Sequence, residues 1–210
     1  MPRYLTEFVG TLFFVLSIGL IVAANNPLGP LFIGSTLMVL VYMGAQVSGS
    51  HYNPAVTLAL WLRRKMPHSD FLPYLLAQLL GGTAGAYLAY LFLDHTFAPA
   101  PAATASTGVA VLVELLYTCL LALVVLNCAA RSATRGNSYF GLAIGFTIVI
   151  AAFAGGPISG GAFNPAVATG AILVNALSGD GNLGNLWIYW VGPLAGGALA
   201  AVLFKLQGES

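Results

Sequence analysis

The residues able to do chemistry in this chain are few. Glu7 and Glu114 are acids within otherwise apolar runs. An acid inside a membrane points to a proton relay, an ion ligand or a buried acceptor of hydrogen bonds. Both stand in the same pattern, Glu7 to Thr11 and Glu114 to Thr118. That symmetry favours the structural duty, because irregular backbone shielded from water must have its N–H groups satisfied. His51, His68 and His95 fall in three regions without metal-ligand spacing, so no metal site is expected. Cys119 and Cys128 are too far apart along one helix to bond each other and read as ordinary buried thiols. The chain has no nucleophile–base pair, phosphate loop or paired catalytic acids. Neither an enzyme nor a cofactor is expected.

Side-chain amides are the remaining chemistry. Asn53-Pro54-Ala55 closes the phrase Ser48-Gly49-Ser50-His51-Tyr52, and Asn164-Pro165-Ala166 closes Ser159-Gly160-Gly161-Ala162-Phe163. Asn caps helix N-termini, and Pro suits the first helical position because its missing N–H would be unpaired there. Each phrase therefore starts a helix. The apolar runs that follow, Thr57 to Leu62 and Ala168 to Val174, are shorter than the roughly 20 residues a bilayer crossing needs. Paired half-helices at matching places in a duplicated membrane protein mark where polar cargo passes.

The elements that must hold these amides are apolar. Charged residues make up 6% of the 210, hydrophobic ones 59%, and the mean hydropathy is +0.89. A soluble domain is about one quarter charged, so the chain reads as a polytopic membrane protein. Six full-length spans are predicted near Leu5–Ala24, Leu31–Val47, Phe71–Leu93, Val109–Ala129, Phe140–Ala154 and Leu186–Leu206. Arg3 ahead of the first apolar run raises a signal peptide; Glu7 and the pairing of this run with a later one favour a retained span. Turn-rich pieces separate the runs, among them Asn25 to Pro30 and Ser178-Gly179-Asp180-Gly181.

All seven basic residues, Arg3, Arg63, Arg64, Lys65, Arg131, Arg135 and Lys205, fall on one face if six spans follow an interior N-terminus. The positive-inside rule makes that face cytoplasmic. The half-helix at Asn53 then dips in from the cytoplasm and the one at Asn164 from outside. Arg63-Arg64-Lys65 reads as a headgroup anchor, with no nucleic-acid role expected.

The duplication extends further. Gly34 matches Gly145, and Gln78 to Gly82 parallels Pro193 to Gly197. Three spans per half insert the halves in opposite senses. The expectation is an all-α membrane protein: six transmembrane helices plus two re-entrant half-helices in an inverted 3+3 repeat. One channel domain covers 1–210, with repeat one at 1–96, a linker at 97–108 and repeat two at 109–210. Gly81-x-x-x-Gly85 and Gly192-x-x-x-Gly196 read as close crossings that hold the two halves together.

On these features the chain resembles the aquaporin (major intrinsic protein) family over essentially its whole length. His51 before the first motif and Trp190-Val191-Gly192-Pro193 in the last span fit as well. The resemblance implies an hourglass pore in each subunit and a homotetramer. Asn53 and Asn164 would turn amide N–H groups to the lumen. Backbone carbonyls of Gly49, Ser50, His51 and Tyr52, and of Gly160, Gly161, Ala162 and Phe163, would form a polar ladder along an apolar wall.

The family's selectivity filter carries over by spacing to Ile33, Ala152, Gly161 and Val167. Most of the family has arginine at the place of Val167, although some plant vacuolar members also have valine. An uncharged filter weakens strict water selectivity and favours hydrogen peroxide, ammonia, urea or glycerol. Two markers pull toward water: Ala168 stands where glycerol channels usually carry an acid, and Tyr189-Trp190 resembles the aromatic pair of water channels.

Three functions remain at this level. The first is a passive channel for water and small neutral solutes that excludes protons, in the plasma (inner) membrane with cytoplasmic termini. The second is a proton- or ion-coupled transporter, resting on Glu7 and Glu114. The third is a non-conducting structural membrane protein.

Overall fold

A computed structural model of the chain describes residues 1–179 and 181–208. The turn residue Asp180 and the last two positions of repeat two lie outside the described residues. The described residues are all-helical. Helices α1 (Pro2–Ala23), α2 (Gly29–Gly44), α3 (Pro54–Leu62) and α4 (Phe71–Leu93) form the first half. Helices α5 (Thr107–Val125), α6 (Phe140–Ala154), α7 (Gly156–Ser159), α8 (Pro165–Ser178) and α9 (Ile188–Leu206) form the second.

Two expectations about length need correction. By length and apolarity α1, α4, α5 with its π-turn extension Leu126–Ala130, and α9 can cross a membrane. By contrast α2 and α6 have only 16 and 15 residues. α2 stops at Gly44, short of the expected Val47, and turns follow from Ala45 to Ser48; α6 keeps the expected bounds Phe140–Ala154 and leads into the single-turn helix α7. That backbone feeds the Asn-Pro-Ala phrases, so the helices stop where the loops must turn inward. The second half-helix is also longer than expected: α8 runs on to Ser178, 14 residues in all.

The halves interlock. The main partner of α3 is α9, and that of α8 is α4. Each half-helix thus packs chiefly on a span from the other repeat. Bare backbone makes this possible: a Cβ on Gly82 of α4 would lie 2.5 Å from the Ala166 carbonyl oxygen at the start of α8, and Gly197 of α9 meets Ala55 of α3 in the same way. The matched glycines Gly34 and Gly145 face one another across α2 and α6, each leaving room for the other's carbonyl. The Gly-x-x-x-Gly pairs act differently from expectation. Gly81 and Gly85 seat α4 on Phe8 and Leu12 of α1, while Gly192 and Gly196 seat α9 on Val111 and Leu115 of α5. They join helices within a repeat; their neighbours Gly82 and Gly197 join the repeats.

Outward faces are apolar at helical spacing, as with Leu72, Leu76 and Leu80 on α4 and Leu112, Leu116 and Leu120 on α5. Polar residues are instead buried among the spans, including Glu7, Gln78 and Glu114. This is the inside-out distribution a bilayer selects. At one end of the bundle Arg63, Lys65 and Arg131 place their charged groups 5.9, 5.8 and 5.1 Å from the centre of the Phe204 ring. Arg3 pairs with Asp70.

Gly82→Val should destabilise the fold by about 1–3 kcal/mol, the usual scale of overpacking. It should lower the thermal midpoint in detergent, while lipid-facing Leu80→Val leaves it near wild type. Equal midpoints for the two variants would contradict the interlocking contact.

Candidate pore at the two asparagine tips

Both Asn residues are N-caps, and each side-chain oxygen accepts the N–H two residues on: Ala55 N–H to Asn53 Oδ1 (2.8 Å) and Ala166 N–H to Asn164 Oδ1 (2.9 Å). The amide nitrogens cross to the other repeat. Asn53 Nδ2 donates to the Phe163 carbonyl (2.9 Å), and Asn164 Nδ2 donates to the Tyr52 carbonyl (2.8 Å). The two half-helix N-termini are therefore tied tip to tip by reciprocal bonds. An amide nitrogen carries two hydrogens, so one N–H on each remains for the cavity that both residues line.

The loops reach this geometry through left-handed backbone. Gly49, Ser50 and Tyr52 have φ of 86°, 53° and 49°; Gly160, Gly161 and Phe163 have 91°, 69° and 50°. An aromatic residue in that region is strained unless its surroundings fix it. Tyr52 is held by its hydroxyl, which donates to the Leu40 carbonyl (3.1 Å), and by a slot that Gly10 and Gly44 leave open. The Phe163 ring meets Tyr117 edge-on at 5.7 Å.

The buried acids complete the loops. Glu7 accepts the backbone N–H of His51 (3.0 Å) and Tyr52 (2.7 Å), the Ser48 hydroxyl (2.7 Å) and Gln78 Nε2 (2.8 Å). Glu114 accepts the N–H of Ala162 (3.0 Å) and Phe163 (2.6 Å) and the Ser159 hydroxyl (2.8 Å). Tyr74 donates to the Ser48 carbonyl (2.7 Å), and Tyr189 does the same for Ser159 (2.6 Å). Sequence reasoning missed this tyrosine pair, although the two stand at the same offset as Gln78 and Pro193.

One network has no mirror image. Thr57 Oγ1 donates its single hydrogen to the Asn53 carbonyl (2.9 Å) and receives an N–H from Gln78 (2.9 Å). Its 3.1 Å contact with His51 Nδ1 therefore needs the ring to donate, which leaves the lone pair of the neutral imidazole on Nε2. His51 also lies against Tyr74, ring centres 4.9 Å apart. Thr57 and Gln78 are further residues missed from sequence; in the second repeat Ala168 and Pro193 take their places.

Two cavities that share Ile18, Ile33, Ala152, Gly161 and Ala162 surround the tips. The central one, of about 50 Å³, is lined by Ser50, His51, Tyr52, Asn53, Gly161, Ala162, Phe163 and Asn164 on its polar side, and by Phe14, Leu37, Val56, Leu121, Ile144 and Ile148 among others on its apolar side. A water needs about 10–15 Å³ of such space, so the cavity accommodates a short file. The outer one, of about 310 Å³, is lined by Gly160, Gly161, Ala162 and Val167, with Phe97, Ala98 and Pro99 on another side. Ile33, Ala152 and Gly161 line both cavities, and Val167 lines the outer one. Gly49 lines neither. The Tyr52 and Phe163 carbonyls already accept the opposite asparagine, so the innermost rungs of the expected ladder have protein partners.

Two half-helices with joined tips inside an inverted bundle, beside a narrow lumen, define a class: an integral membrane protein built around a passage for small molecules. The comparisons with known proteins agree. The chain matches the Major intrinsic protein family over residues 1–204. It is 35% identical to Aquaporin TIP2-3 of Arabidopsis thaliana over 221 residues, covering 97% of this chain and 86% of that one. It is 32% identical to Glycerol uptake facilitator protein-like 6 of Lactiplantibacillus plantarum, covering 100% and 99%. In fold it resembles the aquaglyceroporin from Plasmodium falciparum, with a TM-score of 0.85 at 21% identity over 97% of this chain and 95% of that one. The chain belongs to the major intrinsic protein family, whose members are membrane channels for water or glycerol-type small solutes.

Glu114→Gln replaces two acceptor oxygens by one and sets an amide N–H₂ against backbone donors. It should destabilise by about 1–3 kcal/mol, the scale of one unsatisfied buried group, read as a lower thermal midpoint. A stable variant whose transport merely loses dependence on a pH gradient would instead make Glu114 a proton relay.

Proposed function

We propose that the protein conducts water and small uncharged solutes passively and rejects protons at the paired asparagines. The observation that carries this reading is the reciprocal Asn53–Phe163 and Asn164–Tyr52 bonding beside an outer cavity whose lining holds no charged residue. Each half-helix N-terminus contributes roughly +0.5 of an elementary charge, and two such ends at one point repel cations, as is generally held for aquaporin-type pores. A water accepting the free N–H of both asparagines turns its hydrogens toward the two pore ends. Proton hopping then meets a reversal of water orientation. Carbonyls of the two loops provide acceptors on one side, and the aliphatic wall on the other holds water weakly.

Ile33, Ala152, Gly161 and Val167 form the filter in this reading. With no fixed cation there, hydrogen peroxide, ammonia, urea and glycerol pass along with water. Glu7 and Glu114 act as loop anchors: every Glu–loop contact named above joins a carboxylate to a donor of its own re-entrant phrase or, for Glu7, to Gln78. A coupled transporter is less favoured on that ground. The clustering of Arg63, Lys65 and Arg131 at one end supports cytoplasmic termini in a plasma (inner) membrane. The family resemblance supports a homotetramer.

The test is a permeability panel in one set of proteoliposomes, covering water, glycerol, urea, ammonia and peroxide. Conduction without any ion gradient is expected for water and for at least one larger solute. A requirement for a pH or sodium gradient, or no permeability above bare lipid, would overturn the proposal. Val167→Arg should reduce the larger solutes by about tenfold or more, the low end of what a one-group change in pocket fit discriminates, while water falls less. Equal reduction of both would show the filter to lie elsewhere.

A further inference from the structure

We infer that the segment joining the repeats is a wall of the outer entrance, and that Phe97 within it is a specificity-determining residue favouring solutes with a hydrocarbon face. This rests on the channel reading above and adds a selecting element outside its four filter positions.

The segment includes the expected linker at 97–108, and its bonding gives it a fixed position. The chain leaves α4 through Asp94 in left-handed geometry, φ 55°. Thr96 Oγ1 then donates to Asn175 Oδ1 of α8 (2.6 Å). The Phe97 ring is seated over Gly19 of α1, where a Cβ would come within 2.6 Å of it and within 2.7 Å of Ala89 of α4. Ala100 backbone lies against Gly160, where a Cβ would meet it at 2.6 Å, and Ala102 N–H donates to the Ile158 carbonyl (3.0 Å). The segment is thus pinned to α8, to α1 and to the second re-entrant loop.

Held there, Phe97, Ala98 and Pro99 line the same outer cavity as Ile33, Ala152, Gly161 and Val167. The polar groups of that cavity are unevenly spread. Backbone of Gly160 to Ala162 supplies one side, and Asn25 and Asn26 stand at another, with Asn26 Oδ1 already accepting the Leu28 N–H (2.8 Å). Ile18, Ile21, Val22, Ile33 and Phe97 supply hydrocarbon. A solute entering this space must lay one face on apolar surface. A small polyol can do so with its C–H face while its hydroxyls meet the loop. Urea is polar around its whole edge and loses hydrogen bonds there. An aromatic ring offers the largest apolar surface of any of these lining residues.

The experiment measures glycerol, urea and water permeability in the same proteoliposomes for wild type, Phe97→Ala and Phe97→Leu. In Phe97→Ala the glycerol-to-urea ratio should fall about tenfold, the low end of the discrimination that a single apolar group supplies, while water changes much less. Phe97→Leu, which keeps an apolar plug over Gly19, should fall in between and carries the same ratio test if the alanine variant does not fold. An unchanged ratio, or proportional changes in all three permeabilities, overturns the inference and leaves the channel reading intact. A wild type that passes none of the three overturns both.

Discussion

Backbone inside a bilayer has no water to bond, and this constraint shapes everything between α2 and α3 and between α7 and α8. Each loop must leave carbonyls available along the passage while its N–H groups are satisfied from behind. The protein solves this twice, with one carboxylate per loop gathering two successive N–H groups, and with one asparagine per loop bonding the carbonyl that precedes the other asparagine. The loops cannot be moved independently. Displacing Asn53 removes the partner of Phe163, and displacing that carbonyl shifts Asn164. The glycines of α4 and α9 extend the same coupling outward, since each half-helix start rests on bare backbone from the opposite repeat.

Much of this was legible in the chain because the constraint acts on residue types. Asn before Pro favours a helix start, and two copies in matching phrases point to two starts that must be related. The acids were legible as loop acceptors because Glu7 and Glu114 stand in one pattern. Features that depend on which helix touches which were hidden. Gly82 and Gly81 are adjacent letters, yet one faces the other repeat and the other faces its own. Tyr74 stands out for nothing and Tyr189 only as half of an aromatic pair until the Ser48 and Ser159 carbonyls lie beneath them. The early end of α2 was also hidden, since hydropathy continues past the point where the backbone turns.

The repeats match in backbone and differ in side chains, and the difference has a direction. Behind the first loop, Gln78 and Thr57 orient His51, placing a polar ring in the wall of the central cavity. The corresponding positions of the second repeat are Pro193, Ala168 and Ala162, and the outer half of the lumen takes its polarity from loop backbone and from Asn25 and Asn26. One half therefore carries an imidazole ring in its wall. The other half is aliphatic at Val167 and Ile33, with a ring from the inter-repeat segment beside them. Symmetric scaffolding holds an asymmetric lumen.

The central claim is that two asparagine tips, bonded to each other's loops, pass water and stop protons at one point. Osmotic water flux and proton flux, recorded in the same proteoliposomes at matched protein density, test it most directly. The account predicts water permeability well above bare lipid, with a proton leak indistinguishable from bare lipid. A proton conductance that rises in step with the water permeability would contradict it.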